Sequence, residues 1–157
     1  MRSAVIAVVA DTHDRLPESV CAAIRDADEI WHLGDVCSPH ILVMLERIAP
    51  VRIVRGNCDS ETDWPQKLDF KLEGLRFHLE HIPTRKPPAC DIFLHGHTHV
   101  PRDETVGGVR FLNPGCITRP NMGAPASFAW LTLGNGEPVW KIMPVQPPAQ
   151  EIGRAHV

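Results

Sequence analysis

Three short apolar runs of the chain each end in polar side chains able to hold a metal ion. Asp11 and His13 follow AVIAVVA, Asp35 follows Gly34, and Asn57 follows Gly56. Farther on stand His81 and the alternating cluster His95-Gly96-His97-Thr98-His99. Taken singly, each has a plain reading. Asp-x-His arises by chance, Gly-Asp is a common turn pair, and Gly-Asn suits a left-handed turn. Their equivalent places at the ends of successive apolar runs argue otherwise. His13, His81, His97 and His99 supply imidazole, Asp11 and Asp35 carboxylate, and Asn57 an amide oxygen. That donor set suits borderline divalent cations such as Mn, Fe, Co, Ni or Zn. It exceeds one ordinary coordination shell and fits two ions that share a carboxylate. His32, His40, His78 and His156 lack such company and read as surface or satisfied core residues.

These side chains meet only if the elements bearing them bring their ends together. Residues 3–10 read as a strand buried on both faces. Pro17 opens a helical pattern over 17–28, with Leu16, Val20, Ala23, Ile24 and Ala27 on one side, and proline suits the first helical position. Residues 29–33 form a second strand. Ser38-Pro39 predicts an N-cap and first-turn proline for a helix that stops at Pro50. Residues 51–55 are a third strand. Such a β-α-β-α-β series implies right-handed crossovers and a parallel sheet, with ligands bound outside the carboxyl ends of the strands.

The second half changes character. Lys67–Leu72 and Leu75–Glu80 read as a hairpin around Glu73-Gly74. Strands are expected at 90–94 and 109–112, then a turn at Asn113-Pro114-Gly115. A last hairpin joins Ser127–Leu133 to 139–143 through Gly134-Asn135-Gly136. Alternate residues of an extended segment share a face, but Gly96 predicts a turn that places His97 and His99 on a loop. Between His81 and Cys90, prolines 83, 87 and 88 exclude a helix. An extended connection is expected there, short for a crossover between parallel strands. The reading is one domain over 1–143, followed by a proline-rich tail over 144–157.

With D-T-H at 11–13, G-D at 34–35, G-N at 56–57, His81 and G-H-T-H at 96–99, in that order, the chain resembles the calcineurin-like metallophosphoesterases. The likeness spans residues 4–115. Asn113-Pro114-Gly115-Cys116 resembles the N-P-G-S turn of the small single-domain YfcE-like phosphodiesterase branch. The resemblance implies a four-layer α/β/β/α sandwich of two facing mixed sheets. It implies two divalent cations per chain, manganese foremost, with iron, zinc, nickel or cobalt as alternatives. One would be held by Asp11, His13, Asp35 and His99, the other by Asp35, Asn57, His81 and His97, so that Asp35 bridges. A hydroxide between them would attack phosphorus in line. The catalytic set so implied is Asp35, Asn57 and Cys58. The activity implied is hydrolysis of phosphodiesters.

Two departures bear on that activity. Cys58 stands where many relatives carry a histidine that protonates the leaving oxygen. A thiol, with a reference pKa of about 8.5, is a poor proton donor, so esters with good leaving groups should react best and alkyl esters slowly. Ile82 follows His81 where relatives carry glycine, and IPTRKPPA replaces the next helix, which shortens one wall of the site. His95 has no ligand role in the resemblance and is expected to support the ligands from behind.

Composition sets the outer bounds. The chain has 157 residues, 43% of them hydrophobic, enough for one packed core. Five scattered cysteines without a C-x-x-C pair suit a reducing, cytoplasmic setting. A net charge of −3 gives no bulk attraction for nucleic acid. No run nears the roughly 20 apolar residues of a membrane span. The first strand passes directly into acidic residues without a small-residue cleavage site, which argues against a secretion signal. The expected partner is therefore a small phosphate ester. A homo-oligomer is compatible, although no interface stripe is visible. Arg15, Arg85, Lys86 and Arg119 read as solvated surface rather than phosphate anchors. Three alternatives stay open: a phosphomonoesterase of the same superfamily, a mononuclear hydrolase, and a non-catalytic scaffold such as the vacuolar sorting subunit of retromer, which resembles this fold with part of the motif lost. Every ligand position here carries a competent donor, which favours the enzyme.

Overall fold

The computed structural model describes residues 3–60, 63–118, 125–134 and 136–145. In chain order its elements are β1 (Ala4–Val9), α1 (Glu18–Ala23), β2 (Glu29–His32), α2 (Pro39–Glu46), β3 (Val51–Ile53), β4 (Lys67–Leu72), β5 (Leu75–Glu80), β6 (Ile92–Leu94), β7 (Arg102–Val106), β8 (Val109–Asn113), β9 (Ser127–Leu133) and β10 (Val139–Pro144). They form two mixed five-stranded sheets, ordered β10-β9-β1-β2-β3 and β4-β5-β6-β8-β7. Strands β1, β2 and β3 run parallel, as do β5, β6 and β8.

Alternation along the strands builds the layers. Ile6 and Val8 of β1 join Trp31, Leu33, Ala129 and Leu131 of the first sheet against Phe77, Leu79, Ile92, Leu94 and Leu112 of the second. Trp31 is fully buried there, with edge contacts to Phe77 at 5.1 Å and Phe70 at 5.2 Å. Ala7 and Val9 point the other way and pack with Val20, Ile41 and Leu45 of the helical layer. Both described helices thus cover the first sheet. On the outer face of the second sheet, Phe93 stacks on Phe111 at 5.2 Å, His78 packs on Phe93 at 4.6 Å, and the Arg102 guanidinium sits 4.4 Å over Phe111. These side chains shield what a helix would otherwise cover.

Several boundaries differ from the sequence expectation. Pro17 occupies the N-cap of α1 rather than its first helical position, and α1 stops at Ala23. Residues 24–28 finish in a tight turn closed by the Ala27 amide on the Ile24 carbonyl. Helix α2 ends at Glu46, and the Ile48 amide closes a similar turn on Leu45 before Pro50. Ser38 is the N-cap by position, but its hydroxyl contacts His40 Nδ1 at 3.2 Å rather than a backbone amide. The sequence pattern predicts no strand at β7. Its RDETV sequence is exposed almost throughout, so it lacks the apolar alternation that marks a half-buried strand. Strand β10 runs to Pro144, and the Val145 amide bonds the Ala126 carbonyl. The rest of the expected tail, with His156, lies outside the described residues, as does Arg119.

The connection over 82–91 contains no helix, as its prolines require, although β5 and β6 pair in parallel with Phe77 opposite Ile92. The carboxyl ends of the two parallel triplets face one crevice. There the Asp11 amide bonds the Gly34 carbonyl, and the Gly96 amide bonds the His81 carbonyl, both at 3.0 Å.

Candidate metal centre

The first sheet contributes Asp11, His13, Asp35 and Asn57 from the loops after β1, β2 and β3. The second contributes His81 from the end of β5, and His97 and His99 from the loop after β6. His81 Nε2 lies 3.2 Å from Asp35 Oδ2 and 3.9 Å from Asp11 Oδ1. His13 Nε2 lies 3.9 Å from Asp11 Oδ1 and from Asp35 Oδ2, and His99 Nε2 lies 3.5 Å from Asp11 Oδ1. The His97 ring meets that of His81 at 5.3 Å, and His99 meets His13 at 5.6 Å. Three overlapping donor groups result: Asp11, His13 and His99; Asp11, Asp35 and His81; and His13, Asp35 and Cys58, each within 4.8 Å. Asn57 is exposed beside them, its side-chain amide 3.8 Å from Cys58 Sγ. All the ligand candidates therefore surround one crevice.

The donors face it with unmet valence. Asp11 Oδ1 and Oδ2, His13 Nε2 and His81 Nε2 are buried without a hydrogen-bond partner. Buried polar atoms left in that state are costly, and cations would satisfy all four. The backbone is bent to aim them. Asp11, His13, Asp35, His97 and His99 all have positive φ, a conformation that costs free energy for any side chain and is characteristic of functional loops. Glycine is required alongside. A Cβ on Gly34, which has φ +103°, would fall 2.8 Å from His81 Nδ1, and one on Gly56 would collide with the Asp35 carboxylate and amide.

Supporting hydrogen bonds orient the ligands. His81 Nδ1 donates to the Leu33 carbonyl at 2.8 Å, which leaves Nε2 facing the crevice as a candidate ligand atom. The Asp59 carboxylate accepts the amides of Asp35 at 3.0 Å, Cys37 at 2.7 Å and Gly56 at 2.8 Å, tying the loops after β2 and β3 together. Asn113 donates to the Gly96 carbonyl at 3.2 Å and Thr98 Oγ1 at 3.0 Å, which anchors the histidine loop. The Thr118 hydroxyl donates to the Asp11 carbonyl at 3.2 Å. Asp59, Asn113 and Thr118 were not foreseen in these roles. Asn113 belongs to the N-P-G-C turn and Asp59 follows Cys58, whereas Thr118 lies in no motif.

His32 and His78 are satisfied, as expected of them. The Gly34 amide donates to His32 Nδ1 at 3.1 Å, so Nε2 donates to Thr12 Oγ1 at 3.0 Å. His78 lies between Asp69 at 2.6 Å and Glu80 at 2.7 Å. His95 is buried, donates from Nδ1 to the Gly96 carbonyl at 2.9 Å and accepts from Arg102 at 3.1 Å. It holds the loop backbone rather than a ligand ring.

Electrostatics match this arrangement. Burial pushes the Asp11 carboxyl up to about 7, against the opposing charge of His81. Burial would also raise Asp35. There the His81 imidazole 3.2 Å away, the hydrogen bond from the Cys58 amide and the charge of His13 prevail and hold the carboxyl well below the usual range. Burial, then the Asp35 carboxylate, push the Cys58 thiol up, so it keeps its proton at neutral pH.

Comparison with known proteins agrees with this chemistry. Residues 5–136 match the calcineurin-like phosphoesterase superfamily domain. A probable metallophosphoesterase of Methanothermobacter thermautotrophicus is 36% identical over 141 residues, covering 78% of this chain and 82% of that protein. The solved structure of YfcE, a phosphoesterase from E. coli, superposes with a TM-score of 0.69 at 30% identity, covering 81% of this chain and 87% of that one. Vacuolar protein sorting 29 of Cryptosporidium parvum shares the fold, with a TM-score of 0.78 at 24% identity over 92% of each chain. With its two facing mixed sheets and this ring of donors at their meeting ends, the chain belongs to the calcineurin-like phosphoesterase superfamily.

Proposed function

We propose that the protein is a dinuclear-metal-dependent phosphodiesterase acting on small phosphate esters with good leaving groups. The observation that carries the reading is the set of orphaned buried donors, Asp11, His13 and His81, aimed into one crevice. Asp11, His13, Asp35 and His99 would hold one cation, and Asp35, Asn57, His81 and His97 the other. When bound, such a pair supplies an activated water and neutralises charge on phosphorus. The chain's own residues do the rest. Asp35 sits between the Asp11 side and the His81 side and fixes their separation. His81 is held by Leu33 with its lone pair inward. Cys58 keeps its proton and offers it weakly to a departing oxygen, which favours activated aryl esters over alkyl esters.

Purified protein supplied with manganese should hydrolyse an activated aryl phosphodiester and stop when chelator is added. Asp35→Ala should lose both ions together in a metal-content measurement. One ion per wild-type chain would point to a mononuclear hydrolase. Two ions retained by Asp35→Ala would overturn the assignment, and no turnover with any divalent metal would favour the scaffold.

A further inference from the structure

The histidine loop is gripped through one peptide. The Gly96 amide donates to the His81 carbonyl at 3.0 Å. The Gly96 carbonyl accepts from the Thr98 amide at 2.9 Å, from Asn113 Nδ2 at 3.2 Å and from His95 Nδ1 at 2.9 Å. Whatever holds Gly96 therefore places His97 and His99 relative to His81. His95 is 1% exposed, and its other ring nitrogen, Nε2, meets Arg102 Nη1 at 3.1 Å. Arg102 begins β7, the edge strand of the second sheet, where it pairs opposite Asn113 of β8. That pairing sets side by side the two residues whose bonds lead to the Gly96 carbonyl. The guanidinium is itself fixed. Its Nε and Nη2 donate to Glu104 Oε1 at 3.0 and 2.7 Å, and its Cζ lies 4.4 Å over the Phe111 ring.

A guanidinium has hydrogens to give and no lone pair to take part as an acceptor. Facing it, His95 Nε2 must be bare. The hydrogen of the neutral ring then sits on Nδ1, where it donates to Gly96. The opposite tautomer would fail at both ends. An N–H would point at the Arg102 N–H, and the Nδ1 lone pair would confront the Gly96 carbonyl oxygen at 2.9 Å. We propose that Arg102 is a positioning residue for the metal centre. It fixes the tautomer of His95 and, through that ring, the backbone of the loop that presents His97 and His99. The link runs from the outer face of the second sheet, where Arg102 lies over Phe111, to the crevice. The inference rests on the two-cation reading above.

The test removes the donor and keeps the bulk. In metal-free wild type, nitrogen NMR spectra of the imidazole rings should show His95 wholly in the Nδ1–H form. Arg102→Met should show a mixture of the two tautomers. Calorimetric titration with manganese should find affinity weaker in Arg102→Met by about 10–100-fold, the usual cost of a lost outer partner to a metal site. His95→Ala should lose a similar factor. Adding Arg102→Met to His95→Ala should then change affinity by less than about twofold, because the arginine acts through the ring. A role limited to fastening the edge strand would lower the melting temperature of the metal-free protein and leave both tautomer and manganese affinity unmoved. A pure Nδ1–H ring in Arg102→Met, an unchanged affinity, or losses that multiply in the double variant would each overturn the inference. Wild type that binds no manganese strikes instead at the two-cation reading, and the metal-free ring spectra still decide whether Arg102 sets the tautomer.

Discussion

His32 lies beneath the crevice, fully buried at the end of β2. Its ring accepts from Gly34 and donates to Thr12, whose hydroxyl passes the chain on to the Val36 carbonyl at 3.3 Å. That network spaces the loops bearing Asp11 and Asp35, and it requires a neutral imidazole. Burial, reinforced by the charge of His81, pushes its pKa down to about 3, against 6.5 for the free side chain. The sign follows. Below pH 6.5 the unfolded chain takes up a proton that the folded ring refuses, so His32 contributes stability above that value and loses it as pH falls toward 3. Each pH unit in that window costs about 1.4 kcal/mol. Metal-free protein melted between pH 7 and pH 4 should therefore weaken by more than His32→Gln protein, which cannot titrate there. Parallel pH profiles for the two would remove His32 from this role. Lacking companions in a motif, His32 reads from the sequence as a surface or satisfied core residue. The sequence could not name the partners, since Thr12 and Gly34 meet it only through the pairing of β1 with β2.

At the scale of elements, strand ends were readable and loop clamps were not. Residues 3–10 announce β1 because a continuous β-branched run can only be buried on both faces. The prolines after His81 rule out a helix for equally local reasons. Helix ends were overextended because Ala27 and Ile48 continue the apolar pattern through turns that are no longer α-helical. Strand β7 escaped because its exposed edge has no pattern to read. Asp59 shows the deeper limit. One carboxylate receives three amides from two loops, and nothing periodic in sequence records such a contact. Asp59→Ala would orphan the amides of Asp35, Cys37 and Gly56 together, a loss of about 3 kcal/mol or more if each costs at least the lower end of the usual unpaired penalty of about 1–3 kcal/mol. It should also weaken metal binding by about 10–100-fold, because Asp35 loses its backbone anchor. Denaturant midpoints and a metal titration on the variant measure both. A variant with an unchanged midpoint would show that the loops are held by other means.

Taken as a whole, the molecule is two sheets joined by a large apolar interface, and their candidate ligands meet at one end. The donors divide between the layers: Asp11, His13, Asp35 and Asn57 belong to the first sheet, and His81, His97 and His99 to the second. Without cations, that end brings Asp11 and Asp35 carboxylates into one dry space and strands four buried polar atoms. The apolar contacts of Trp31, Phe77 and Leu79 must carry the assembly against that cost. Cations that bind only the folded chain would staple sheet to sheet and stabilise the whole domain by mass action. At a free concentration of one hundred times Kd the gain is about 2.7 kcal/mol. For a chain of this length, such a gain corresponds to a rise in Tm of about 5–10 °C. Calorimetric melting in manganese should show that rise, chelator should abolish it, and Asp35→Ala should melt at the same temperature in both. Because ligands from both sheets are needed, His81→Ala should lose most of the shift even though Asp11, His13 and His99 remain. A full metal-induced rise in His81→Ala would mean that the first-sheet loops and His99 bind cations without the second strand set, and the staple would be the wrong description of what joins the layers.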